Sequence, residues 1–456
     1  MALIWPAQLL VAVGALSSNA QPQIAQHFHT SSIEWFTQAF VLVSIAAVPF
    51  AMRCGEMFGK RRVMLLLAAA GVIGDAVTAL APNYPTMIAG RALAGLYGPV
   101  VALVMAAVRD LFPRRRIAAV YGIITGSIGA AQVLSPLLAG LLLDRYGWRS
   151  ALWALTISTV VAALCLLLVP ETPRIPTSAK FDWAGGLLLG GSVVLIVWGV
   201  GKAEAWGWVD LATLGCIGGG LLTLLLFVLA ELRAESPMVN VRMFKRRSVA
   251  AVLLGPSLVQ GVFFVSPVVL TFLALYPVIP RVSDGLGWTM THTAIIGIPA
   301  GVITIAAGLL AGLLLRRLGV RVLWFSSTTA LAVGFVLAGL YHGDATAIIA
   351  TGAVIGVGGG MMVAAVGSMI VSVVTVEEQA AASGVGALLY QTTGVITYQI
   401  LFVVLERHST VTRGTAFYLD KGYQNAYFML AALVGVGMVL SLALPRIERP
   451  DKVLSD

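Results

Sequence analysis

Long apolar runs separated by short polar turns organise this chain. The runs lie at about 2–20, 34–52, 63–82, 85–107, 117–143, 148–170, 182–201, 210–231, 248–276, 289–315, 320–341, 345–374, 381–405 and 424–445. An apolar run of about 18 or more residues is long enough to cross a bilayer as a helix, so the pattern predicts an all-α membrane protein with fourteen transmembrane helices. The first run, Ala2 to Ala20, ends in Ser18-Asn19-Ala20, which has the small-x-small form of a cleavage site. It lacks the basic stretch that opens a signal peptide and is read as the first helix. One turn recurs. Met52 to Arg62 joins the second and third runs, and Gly312 to Arg321 joins the tenth and eleventh in the same basic style. Two copies far apart imply two related halves. Residues 1–170 then form an N-terminal six-helix half and 248–445 a C-terminal one. Residues 171–247 hold an inserted helix pair with its flanking loops, and 446–456 a tail. Parallel six-helix halves are a transporter architecture, with substrate handled between them near the midplane.

Composition narrows the class. Hydrophobic residues make up 59% of the chain and charged residues 11%, and mean hydropathy is +0.94, values outside the range of soluble globular proteins. The net charge of +9 does not point to nucleic acid, because the basic residues are confined to short loops between apolar runs. Segments on one side carry roughly three times as many Lys and Arg as those on the other, and retention of positive loops inside places both termini in the cytoplasm of a plasma-membrane protein. Cys54, Cys165 and Cys216 show neither metal spacing nor a disulfide framework. No order of residues resembles a catalytic constellation, so the sequence predicts neither an enzyme nor a metal or cofactor site.

Charges inside the apolar runs carry the functional signal. Asp75 lies about twelve residues, roughly 18 Å at 1.5 Å per residue, into its run. A carboxylate at that depth must pair or line water and marks a candidate site. The alternative is a peripheral helix whose Asp75 caps or snorkels near the outer end. Arg91, about six residues into the fourth run, cannot lose its proton and must be paired or hydrated. Either a coupling role or a structural ion pair satisfies that. In the first basic turn, Glu56, Gly59, Lys60, Arg61 and Arg62 can bridge helices in one state and release them in another, or serve only as a topology signal with weak surface pairs. Gly122 to Gly140 presents small residues at spacing near four, which lets helices pack closely, and Pro136 can bend that helix.

These motifs together resemble the Major Facilitator Superfamily and, within it, the fourteen-helix drug:proton antiporter family, over essentially the whole chain. Met52 to Arg62 is similar to the loop signature Gly-x-Leu-x-Asp-Arg-x-Gly-Arg-Arg, with Gly59-Lys60-Arg61 kept, Glu56 for the Asp and Met57 for the following Arg. Arg91-Ala92-Leu93-Ala94-Gly95 resembles the fourth-helix Arg-x-x-Gln-Gly, with Ala94 for Gln. Gly122, Pro136 and Gly140 match the fifth-helix antiporter motif, while Ala131, Ser135 and Ala139 stand where Gly is usual. Asp144 to Arg149 resembles the end of that helix, and Phe181 to Gly185 with Trp206-Gly207-Trp208 the inserted pair. One departure is clear: the family's first-helix Asp is Val13 here.

The resemblance implies a two-half major-facilitator fold with two extra helices, and export of hydrophobic or amphipathic drugs or metabolites by alternating access. The proton gradient supplies the energy, with no bound cofactor. The resemblance makes Arg91 a proton-coupling candidate but does not place the carrier at Asp75, which is a candidate on its depth alone. It makes the first basic turn a conformational latch, and Gly122, Ser135, Pro136 and Gly140 a seal on the fifth helix. By analogy with the central helices of such halves, Asn19, Gln132, Gln260, Phe263, Phe264, Tyr390 and Gln391, with Tyr276, Thr392, Tyr398 and Gln399, are candidates to line a substrate cavity. An apolar lining with a few hydrogen-bonding groups fits a small amphipathic organic ligand. The partners implied are that substrate, protons and membrane lipid. An importer or lipid-moving transporter on the same fold, and a ligand sensor that does not transport, stay open.

Overall fold

The computed structural model describes residues 3–172, 183–233, 241–374 and 378–443. Its helices run in order α1 (Ile4–Phe28), α2 (Trp35–Phe58), α3 (Lys60–Leu80), α4 (Tyr84–Ala94), α5 (Val100–Leu111), α6 (Arg114–Tyr146), α7 (Trp148–Leu167), α8 (Trp183–Trp206), α9 (Leu211–Arg233), α10 (Arg247–Val265), α11 (Pro267–Leu275), α12 (Met290–Leu318), α13 (Val320–Leu340), α14 (Ala345–Val373), α15 (Gln379–Glu406) and α16 (Asp420–Leu440). Among the described residues, twelve segments are long and apolar enough to cross a membrane. These twelve leave out α1 and α6, helices of 25 and 33 residues. Among the described residues, strand is confined to two short pairs, β1 (Val278–Ile279) with β2 (Ser283–Asp284) and β3 (Ser409–Thr412) with β4 (Thr415–Tyr418).

The helices depart from the apolar runs where local chemistry intervenes. α1 continues past Ala20 and Pro22 to Phe28. Gln21 and Gln23 end the run by hydropathy, but Gln21 donates to the Thr37 hydroxyl and Gln23 to the Leu143 carbonyl at 3.4 Å, so the polar side chains are used between helices. The fourth run breaks into α4 and α5 at a 3-10 turn over Gly95–Tyr97, just before Pro99. The ninth breaks at Ser266, where Pro267 opens α11; proline cannot donate the next helical bond.

The chain divides into two compact units. The first comprises Met1–Met238 with Thr289–His292 and Val411–Ala416, the second the remaining residues to Asp456. In the first, α3 packs on α4 and α7, α1 on α6 and α7, and α8 on α9. In the second, α10 packs on α15 and α16, and α13 on α14 and α16.

Each unit contains one copy of a helical pair with the same construction. α3 and α13 both have 21 residues, and each starts from a glycine at positive φ, Gly59 at +97° and Gly319 at +80°. Only glycine adopts this conformation without a Cβ penalty. The next helix in each copy is capped alike. Asn83 (φ −145°, ψ 164°) accepts from the Thr86 amide at 2.9 Å, and Asp344 (φ −143°, ψ 165°) accepts from the Ala347 amide at 2.7 Å. The crossing point is a glycine in both. A Cβ on Gly74 would stand 2.3 Å from the Ala94 nitrogen, and one on Gly334 3.0 Å from the Ile355 nitrogen.

Candidate functional site

The α3–α4 pair holds two charges in its interior. Asp75 and Arg91 are 4% and 1% exposed. Arg91 Nη1 lies 3.9 Å from Asp75 Oδ1, while Oδ2 accepts from the Thr159 hydroxyl of α7 at 2.7 Å. Arg91 Nε donates to the Phe36 carbonyl at 3.2 Å, and the guanidinium carbon sits 4.8 Å and 4.7 Å from the ring centroids of Phe36 and Phe40 on α2. Two ring faces are favourable seats for a desolvated cation. Close by, Tyr97 is buried and donates to the Pro6 carbonyl at 2.9 Å. Asp75 is thus enclosed by α3, α4 and α7 and does not reach the helix end. The sequence singles out Asp75 and Arg91 separately; the fold brings them together. Thr159 carried no signal of its own, since a Thr inside a helix most often bonds back to its own turn.

The first basic turn gathers on two acids that are distant in sequence. Lys60 Nζ pairs with Asp110 at the end of α5. Glu171, just after α7, accepts from the Arg61 amide at 3.1 Å, and the Lys60 amide donates to the Thr172 hydroxyl at 3.0 Å. These acceptors satisfy amides that the first turn of α3 would otherwise leave open, and a carboxylate there is favoured by the helix dipole. Arg61 also reaches the Leu167 carbonyl at 2.7 Å, and Arg62 lies 3.7 Å from Glu171 while largely exposed. Glu56 forms a local pair with Arg53 at 2.9 Å. The acids that meet Gly59, Lys60, Arg61 and Arg62 are therefore Asp110 and Glu171. Glu171 opens a Pro- and Thr-rich stretch that reads as linker.

On α6, Ser135 is buried and Pro136 lies inside the helix. A Cβ on Gly140 would meet Thr291 Cα at 2.8 Å. The side chain of Gln132 and the surroundings of Gly122 lie outside the described residues. At the end of α6, Asp144 accepts from the Met290 and Thr291 amides at 2.9 and 2.8 Å, an N-terminal cap on α12 within the first unit. Burial pushes the Asp144 carboxyl up, but the Thr291 hydroxyl and amide, the Met290 amide and the Thr289 hydroxyl together hold it below the usual carboxylate range.

In the second unit, α10, α14 and α15 enclose a cavity of 240 Å³ whose lining includes Pro256, Ser257, Gln260, Val363, Ser383 and Tyr390. Gln260 and Tyr390 are thus brought to one space, joined by Ser257 and Ser383. The other cavity candidates lie elsewhere. Phe263 packs where a Cβ on Gly359 would stand. Phe264 is 46% exposed, its ring 5.9 Å from that of Tyr390. Gln391 donates back to the Ala387 carbonyl at 3.3 Å, and Asn19 is buried in α1 of the first unit. Among the described residues there is no group of His, Cys, Asp and Glu that could hold a metal ion.

The comparisons with known proteins agree with this architecture. A tetracenomycin C resistance and export protein of Streptomyces glaucescens is 32% identical over 281 residues, 58% of this chain and 52% of that one. The multidrug efflux pump LfrA of Mycolicibacterium smegmatis is 26% identical over 429 residues, 91% of this chain and 79% of that one. The chain thus spans about half the length of the first of these curated relatives and more of the second. The crystal structure of the nucleoside transporter NupG superposes with a TM-score of 0.65 at 14% identity, over 97% of this chain and 98% of that one, a likeness of fold alone. Residues 7–398 match the family model of the Major Facilitator Superfamily, and the chain belongs to that superfamily of membrane-spanning transporters, which are not enzymes.

Proposed function

We propose that this transporter exports small hydrophobic or amphipathic organic molecules by proton antiport with alternating access. The observation that carries the coupling is the Asp75–Arg91 pair, closed off from solvent inside α3, α4 and α7. A buried carboxylate facing a fixed cation changes its partners when it gains a proton, which is what coupling requires. The names of the relatives, a resistance and export protein and an efflux pump, support the direction. The 240 Å³ cavity with Ser257, Gln260 and Tyr390 supports a largely apolar ligand with a few hydrogen-bonding groups.

The finer reading belongs to the same proposal. It is a fourteen-span member of the drug:proton antiporter branch, with α1 and α6 spanning beside the twelve segments above and both termini cytoplasmic. Residues 1–170 and 248–445 act as the two halves, and 171–247 as an inserted pair. Energy comes from the proton gradient without a bound cofactor, and lipid surrounds the helices. The turn at Gly59 to Arg62 acts as a latch on Asp110 and Glu171, and Ser135, Pro136 and Gly140 of α6 keep its packing tight, as Gly122 does by sequence.

The test is uptake of a lipophilic cation dye into inside-out vesicles under an imposed proton gradient. Wild type accumulates dye, and Asp75→Asn loses gradient-dependent uptake while still inserted and folded. Unchanged uptake in Asp75→Asn removes Asp75 from the coupling step. Ligand binding without uptake in wild type would favour a sensor, the reading that Val13 in place of the family's first-helix Asp supports.

A further inference from the structure

Thr159 holds one proton and stands between two acceptors. Its Oγ lies 2.7 Å from Asp75 Oδ2 and 3.0 Å from the Leu155 carbonyl one turn back. A hydroxyl has a single hydrogen to donate but can also accept, so it makes only one of these bonds well at a time. We propose that Thr159 is a positioning residue for the proton at Asp75, its hydroxyl turning from the carboxylate to the Leu155 carbonyl as Asp75 is protonated. Its part in transport rests on Asp75 being the proton carrier.

In the ionised state the Thr159 O–H donates to Oδ2, and Arg91 faces Oδ1. When a proton from water binds Oδ2, the new carboxyl O–H donates to Thr159 Oγ. The Thr159 hydrogen rotates to the Leu155 oxygen, and no bond between heavy atoms forms or breaks. In both states the Thr159 hydroxyl and Asp75 Oδ2 keep each other or the Leu155 carbonyl as partner, and losing such a partner is costly at this depth. Arg91 keeps its charge in both. As the Oδ1 attraction weakens, the Phe36 carbonyl and the Phe36 and Phe40 rings still hold the guanidinium. Protonation therefore shifts the cation's attachment from α3 to α2 without exposing it.

The titratable groups that act on Asp75 or on its neighbour Tyr97 are Arg91 of α4 and Cys165 of α7, while Lys60, Arg61 and Arg62 of α3, Tyr84 of α4 and Arg149 of α7 stand at the helix starts. Of the groups bonded to the carboxylate, Thr159 is an uncharged one that both donates and accepts. A valine keeps the shape of the side chain and removes both abilities. A serine keeps both.

The measurement is an infrared pH titration of the carboxyl stretch in lipid nanodiscs, with Asp75→Asn assigning the Asp75 band. Without the donor to its ionised form, Thr159→Val titrates at a proton concentration about tenfold lower than wild type. Thr159→Ser stays within about twofold of wild type. A Thr159→Val midpoint equal to wild type, or no titrating band that Asp75→Asn removes, overturns the assignment. Vesicle uptake separates this from the coupling reading. Normal uptake in Asp75→Asn together with a shifted band in Thr159→Val rejects Asp75 as carrier and leaves the hydroxyl switch standing.

Discussion

The two copies of the helical pair share a frame and differ in what they enclose. Sixteen residues past the starting glycine, the first copy has Asp75 and the second has Phe335, which is fully buried. Eight residues past the capping side chain, the first has Arg91 and the second Gly352. The capping geometry, the length of the first helix and the glycine crossing are the same in both. Among the described residues the second copy shows no ion pair between its two helices, and the charged pair is not what the frame requires. A buried ion pair is often no more stabilising than apolar residues of similar volume. The first copy keeps one against that cost, and the difference favours a working role over a structural one.

The largest expected effect breaks the first copy unequally. Arg91→Met alone leaves the Asp75 carboxylate buried without its cation, at a cost of about 3–5 kcal/mol. The double variant Asp75→Leu with Arg91→Met imitates the second copy and recovers most of that stability, while gradient-driven uptake is lost in both. Thermal unfolding in detergent reads the stability and vesicle uptake the function. A double variant as unstable as the single one would mean that the charges are part of the frame.

In the second copy the order reverses. Phe335→Ala opens a cavity in the packed pair and costs about 3–5 kcal/mol. Transport per folded molecule, measured after correcting for the surviving fraction, stays near wild type. A loss of uptake with an unchanged melting temperature would instead give Phe335 a role in transport and end the contrast between the copies.

What could be read from the chain follows the same division. Apolar runs and the basic turns carry the helices, because span length and charge placement are properties of contiguous residues. Asp75 and Arg91 stand out because a charge in an apolar run is rare at any register. Their partners do not stand out. Thr159 resembles any helical Thr, Glu171 sits in a stretch that looks like linker, and Asp110 lies among loop charges. Each acquires meaning only from a neighbour 50 or more residues away, as in Lys60 with Asp110 and Lys60 with Thr172. The breaks at Gly95–Tyr97 and Ser266 were hidden for another reason: hydropathy does not sense where a backbone bond is missing. For the cavity, Gln260 and Tyr390 were legible as polar and aromatic groups on apolar helices, whereas Ser257 and Ser383 are small enough to pass as packing.

The starting glycines offer a smaller test. Alanine at Gly59 or Gly319 meets similar positive-φ strain, about 1–3 kcal/mol. At Gly319 nothing lies within 4 Å of the new Cβ, whereas at Gly59 it would stand 2.5 Å from Glu171 Oε1. Gly59→Ala therefore also displaces the carboxylate that accepts from the Arg61 amide, adding about 1 kcal/mol, the usual worth of a helix cap. A larger drop in melting temperature for Gly59→Ala than for Gly319→Ala is the expected result, and Glu171→Gln narrows the gap. Equal drops would leave the Glu171 contact without energetic weight.

The smallest effect concerns the other carboxylate that caps a helix from a distance. Asp144 holds the start of α12 through the Met290 and Thr291 amides, and its carboxyl lies below the usual value of 3.8 despite partial burial. A group whose native pKa is lowered binds its proton less readily folded than unfolded. Its contribution is therefore complete above the unfolded value and is lost as pH falls through the native one. Asparagine caps helices too, but its single oxygen replaces only one of the two carboxylate acceptors, so Asp144→Asn lowers the melting temperature by a small constant amount at neutral pH. The charge itself is read on the acid side. Below about pH 4 the wild-type melting temperature falls more steeply than that of Asp144→Asn, because only the wild type has this carboxylate to lose. Glu171→Gln supplies the control in the α3 cap. Parallel acid limbs in wild type and Asp144→Asn would mean that the α12 cap rests on the one hydrogen bond that both side chains can accept, and that the charge adds nothing to it.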